Sequence, residues 1–98
     1  MPLFCYRGRD GARGLELRKE HREQHLAHIR ALDEQGRVRF AGPLIDEAGN
    51  PRGSVIIIEA PDLAAAREIA ENDPYLTHGI FEGVEVFETR QVFPAGEP

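Results

Sequence analysis

At 98 residues the chain is long enough for one domain with a limited core, and pairing with a second copy is a natural further source of stability. Its 41% hydrophobic and 30% charged residues are an ordinary soluble composition. No apolar run approaches the roughly 18 residues that cross a bilayer, and a net charge of -5 argues against nucleic acid as a partner. One cysteine, Cys5, allows no internal disulfide, and the N-terminus lacks the charged and apolar regions of a secretory signal, so a reducing cytoplasm is the expected location.

In chain order, Leu3-Phe4-Cys5-Tyr6 reads as a strand apolar on both faces, and Arg7 to Gly14 as a Gly/Arg-rich loop. The spacing predicts a long helix over Leu15 to Gln35, stopped by Gly36. Val38-Arg39-Phe40-Ala41 begins a second strand, interrupted by Gly42-Pro43, and residues 46–51 carry turn chemistry. Ser54 to Glu59 reads as a third strand, also apolar on both faces. Asp62 is placed to cap a second helix over Leu63 to Glu71. Glu85 to Phe93 reads as a fourth strand of mixed polarity, and Pro94 to Pro98 as a frayed tail.

This order of strand, helix, strand, strand, helix, strand is the ferredoxin-like split βαβ pattern in a single α+β domain over residues 1–98. The expected four-stranded antiparallel sheet has the order 4-1-3-2, with the two doubly apolar strands at its centre. Both helices cover one face. The other face would expose apolar residues, so a homodimer with two sheets facing each other is expected, a dimeric α/β barrel.

Charge is uneven along the chain. Residues 1–39 hold nine Lys/Arg against six Asp/Glu, and the rest hold three against eleven. Any anion-binding role therefore belongs to the first half. On the first helix, Arg18, Arg22 and His25 fall inside the arc defined by Leu15, Leu26, Ile29 and Leu32. Polar residues inside an apolar stripe are either arginines snorkelling to water and a satisfied buried histidine, or the lining of a polar pocket.

Topology brings the start of the first helix and the end of the second to one edge of the sheet. There Arg22 and His25 approach Asp73, which the following Pro74 fixes on a corner. Gly42-Pro43 and Gly53-Ser54 reach the same edge. Asp73 can orient His25 as a general base, or it can simply cap a short turn through Tyr75 and Leu76. His21, His25 and His28 share a helix but have no accompanying Cys or carboxylate motif, so no metal is expected. Cys5, between apolar residues, reads as an inert core thiol.

Arg22-Glu23-Gln24-His25-Leu26, Ala41-Gly42-Pro43, Gly53-Ser54, Asp73-Pro74-Tyr75 and Gly79-Ile80-Phe81, in that order, resemble the YciI-like family of dimeric α/β barrel proteins. The resemblance implies a dimer with a pocket holding a His–Asp pair, here His25 and Asp73. Some relatives are linked to elimination of halide from ring compounds, and the wider group includes isomerases and small-molecule oxygenases. The combined expectation is a cofactor-free enzyme acting on a small anionic or phenolic metabolite by proton abstraction. His25 would be the base, Asp73 its orienting partner and Arg22 an anion or enolate stabiliser. Ser54 and Tyr75 would donate hydrogen bonds, and Gly42 would add to the substrate-binding wall. The rivals are a small-molecule binding or accessory module without turnover, and a purely structural dimer.

Overall fold

The computed structural model describes residues 1–95. Its elements are β1 (Leu3–Asp10), α1 (Gly14–Glu34), β2 (Val38–Ile45), β3 (Pro51–Glu59), α2 (Leu63–Glu71), α3 (Pro74–Thr77) and β4 (Phe81–Thr89). The sheet order is β2-β3-β1-β4, every neighbour antiparallel, which is the expected ferredoxin-like arrangement.

Alternation along the central strands sorts the side chains onto two faces. Phe4, Tyr6, Gly8 and Asp10 of β1 are buried, as are Ser54, Ile56 and Ile58 of β3. Tyr6, Ile56 and Ile58 pack with Ile29 and Leu32 of α1 and Ala70 of α2, so both long helices lie on one side. Each large apolar side chain buried there contributes about 1.5–3 kcal/mol. No helix among the described residues covers the opposite face. Across it run Phe40, Ile57, Cys5 and Phe87, paired in register, with Phe40 and Phe87 each more than half exposed.

The helix ends follow from their residues. At the end of α1, Gly36 takes φ +71°, Gly36 N–H donates to the Asp33 carbonyl and Arg37 N–H to that of Leu32. These two bonds satisfy carbonyls the helix would leave open, and a left-handed glycine makes them possible. The Asp62 carboxylate accepts from Ala65 N–H at 2.8 Å and starts α2.

Four boundaries differ from those read in the sequence. β1 continues through Arg7–Asp10 and is not a loop there. Arg7 and Arg9 point outward to Glu85 and Glu82 of β4, while Gly8 and Asp10 stay buried. Gly8 marks a close approach within the strand, because a Cβ there would lie 2.4 Å from the Phe81 ring. β2 runs on through Gly42-Pro43 to Ile45, with register shifts at both ends. β3 starts at Pro51. β4 begins four residues earlier than expected and stops at Thr89, because its partner β1 has run out: Leu3 pairs with Thr89. Residues 96–98 of the expected tail lie outside the described residues.

Candidate active site

α1 presents one long stripe to the sheet edge, and α3 closes over it. The residue before Pro74 is held extended, at φ -64° and ψ 125°, and becomes the N-cap of α3. Asp73 is fully buried. Its Oδ1 accepts from Tyr75 N–H at 2.9 Å and lies 2.8 Å from His25 Nδ1. Its Oδ2 accepts from the Tyr6 hydroxyl at 2.7 Å. Capping and pairing are therefore not alternatives, since one oxygen does both and the other is held by Tyr6.

Burial opposes the charge on Asp73, yet the hydrogen bond and charge of His25, with the bonds from Tyr75 N–H and Tyr6, hold its carboxyl below the ordinary value. Burial first, and then the Asp73 charge, push the Tyr6 hydroxyl far above its ordinary value, so Tyr6 stays a donor. An ionised carboxylate can only accept, which makes His25 Nδ1 the protonated ring nitrogen. His25 Nε2 has no hydrogen-bond partner among the described residues, and in the neutral ring it is the nitrogen that carries the lone pair. The His25 ring stacks on Tyr75, centroids 3.9 Å apart and planes parallel, and Tyr75 meets Phe81 edge-on at 5.6 Å.

A second buried carboxylate lies beside this pair. Asp10, at the end of β1, takes a two-pronged ion pair from Arg18, at 2.7 and 2.9 Å. The same guanidinium donates to the Gly53 carbonyl at 3.0 Å and to Ser54 Oγ at 3.2 Å, and lies 5.0 Å from the Tyr75 ring centre. Gly14 at the helix start is forced by this cluster: a Cβ would come within 2.5 Å of Asp10 Oδ2.

These groups surround a cavity of about 270 Å³ lined by Arg18, Arg22, His25, Gly42, Ser54 and Tyr75, with Leu26, Ile29, Ala41 and Pro43. That is just under the roughly 300–1,000 Å³ of pockets for drug-sized ligands, so it suits a smaller molecule. All six residues singled out in the sequence come to one place. His25 and Asp73 are bonded. Arg22 is exposed at the rim and makes no salt bridge among the described residues. Ser54 accepts from Arg18 and keeps its own proton to donate. Burial raises the Tyr75 hydroxyl against the opposing charges of Arg18 and Arg22, which keeps it a donor too.

Three residues of the arrangement carry no sign of their partners in the sequence. Tyr6 reads as plain strand core, Asp10 falls in the stretch that reads as a loop, and Arg18 lies in the polar arc with no partner in view. A period-two reading of Tyr6, Gly8 and Asp10 would have placed the first two on the helix side with Asp10 beside them.

The other histidines point elsewhere. His21 stacks on His78 at 4.0 Å, and burial lowers the His28 pKa, with the Asp73 charge partly offsetting it. No group of three or more metal-ligating side chains is gathered among the described residues. Cys5 lies on the helix-free face, away from His25, and burial raises its thiol despite Arg7.

The fold and the buried pair together define a ferredoxin-like α+β protein with a His–Asp site at one sheet edge. Residues 2–90 match the model of the YCII-related domain, and the chain belongs to that family. It is 36% identical over 97 residues to Protein YciI of Escherichia coli O6:H1, covering 93% of this chain and 99% of that one. It is 38% identical over 86 residues to an uncharacterised protein of Haemophilus influenzae, covering 81% and 87%. Among solved structures, it resembles the 5-chloro-2-hydroxyhydroquinone dehydrochlorinase of Burkholderia phenoliruptrix AC1100, in complex with 2,5-dihydroxybenzoquinone. The TM-score is 0.78 and the identity 25%, over 90% of this chain and 93% of that one.

Proposed function

We propose that this chain is a small-molecule enzyme that abstracts a proton from a phenolic or anionic ring metabolite without a cofactor. The observation that carries the reading is the His25–Asp73 pair: a buried, fully bonded carboxylate fixes the imidazole and leaves Nε2 free on a small cavity. Nε2 takes the proton, and the electron pair moves into the ring. In elimination a leaving group departs with its bonding pair, and in isomerisation the proton returns at another atom. Arg22 stabilises the enolate or phenolate charge, Tyr75 and Ser54 donate hydrogen bonds, and Gly42 leaves room at the wall. The likeness to a dehydrochlorinase with a dihydroxybenzoquinone bound supports a ring substrate.

The test is chloride release from chlorinated hydroxyhydroquinones. Wild type should release chloride, and His25→Gln should lose about 10²–10⁴ of the rate, the range general base catalysis spans. An unchanged rate in His25→Gln sinks the base. Binding by the wild type without product replaces the enzyme with a binding module.

The same reading includes a homodimer through the helix-free face, supported by the apolar row Phe40, Ile57, Cys5 and Phe87. Light scattering at micromolar concentration should give twice the chain mass, and Ile57→Glu should shift it to monomer. A monomeric wild type removes this part.

A further inference from the structure

The His25 cavity has a neighbour. A second cavity, of about 390 Å³, is lined by Leu15, Arg18, Lys19, Arg22, Pro43, Ile45, Asn50, Pro51 and Tyr75. It shares Arg18, Arg22, Pro43 and Tyr75 with the first. The two are consecutive chambers along one side of α1, because residues 15, 18, 19, 22, 25, 26 and 29 follow helical spacing on one face. At 1.5 Å per residue that face is about 21 Å long, well beyond one six-membered ring.

The charges differ between the chambers by Lys19, which lines only the second. Both hold Arg18, neutralised by Asp10 and committed to Gly53 and Ser54, and both reach Arg22. Lys19 and Arg22 stand without a salt bridge among the described residues. Of the acids on α1 near them, Glu16 pairs with Arg13 and Glu20 lies 3.8 Å from His21, while Glu23 is exposed and does not line the chamber. Two unpaired cations beside Leu15, Ile45, Pro43 and Pro51, with Asn50, Tyr75 and the neutralised Arg18 completing the wall, make a site for one anionic group on an apolar stem.

We propose that this second chamber anchors the carboxylate tail of a substrate whose ring lies against His25, with Arg22 at the junction and Lys19 at the far end. This rests on the ring-binding reading above and narrows it to aromatic or quinonoid acids with a short side chain. An exposed ammonium adds modest affinity that salt screens, so the expected effect is a salt-sensitive preference and not an absolute requirement.

The probes are hydroquinone and dihydroxyphenylpropanoate, titrated into the full chain by calorimetry and amide NMR. Both should shift resonances around His25 and Tyr75, and only the acid should also shift Lys19 and Asn50. At low salt the acid should bind about tenfold tighter, equivalent to about 1.4 kcal/mol. Lys19→Met, or molar sodium chloride, should reduce that ratio to threefold or less while hydroquinone affinity stays as it was. Lys19→Glu should bring the ratio to one or below. Equal affinities in wild type, or a preference that survives both Lys19→Met and high salt, overturn the anchor and leave the ring reading standing. If neither probe perturbs His25 and Tyr75, the ring reading falls and the anchor falls with it.

Discussion

Asp10 and Asp73 are both buried carboxylates met by α1, the first by Arg18 and the second by His25 about two helical turns further on. Asp10 faces a guanidinium that never gives up its proton, held by two parallel bonds and two further acceptors. Asp73 faces the His25 imidazole and fills its other lone pairs with Tyr6 and a backbone N–H. One carboxylate is thus part of a fixed ion pair that ties β1, α1 and β3 together. The other holds an imidazole in one orientation. The same helix stripe supplies a fixed ion pair at one end of the cavity and an oriented imidazole at the other.

That contrast predicts the largest effect at Asp10. Asp10→Ala leaves Arg18 nearly buried without a counter-charge and should cost about 3–5 kcal/mol in urea unfolding. A loss under 1 kcal/mol would mean the ion pair is not structural. Asp73→Asn should cost less, because Asn also caps α3, whereas Asp73→Ala loses the cap and strands the Tyr6 hydroxyl, about 2 kcal/mol or more. Nitrogen NMR should show one Nδ1–H tautomer of His25 in wild type and a mixture in Asp73→Asn. A single unchanged tautomer would break the orienting role of Asp73.

Tyr6→Phe comes next, at about 1–2 kcal/mol, and should move the Asp73 carboxyl up toward its ordinary value, read by carbon NMR titration. The pH dependence follows the same group. With its folded value below its unfolded one, the unfolded chain binds more protons between the two. Stability from Asp73 is therefore complete above about pH 5 and is lost as pH falls through that window. Asp73→Asn should flatten this acid limb. The smallest effect belongs to Arg7 and Glu85, paired at about half exposure: Arg7→Gln should change stability by less than about 0.5 kcal/mol.

Much of this was legible in the chain. Apolar runs on two strands fixed which pair is central, and Asp62, Gly36 and Pro74 set helix ends, because each acts within a few residues of itself. His25 and Asp73 could be brought together since the topology leaves only one edge where they meet. Tyr6 was not legible as a partner of Asp73. The two are 67 residues apart, and a tyrosine in an apolar strand carries no local sign of where its hydroxyl goes. Arg7–Asp10 reads as a loop because a glycine between charged residues imitates one. What Gly8 records is the Phe81 ring lying against bare backbone, a contact made 73 residues later in the chain. The start of β4 failed for a related reason: its end is set by where β1 begins, not by its own composition.

The chain has two tyrosines and no tryptophan. One tyrosine donates to Asp73 and the other lies flat on His25. Ultraviolet absorbance near 280 nm and intrinsic emission therefore arise from the site alone, with no background from the rest of the molecule. A bound quinone would quench that emission, and a change in Asp73 or His25 ionisation would shift it. The unlabelled protein is in this sense its own optical probe, able to report events at the pair before any product has been identified.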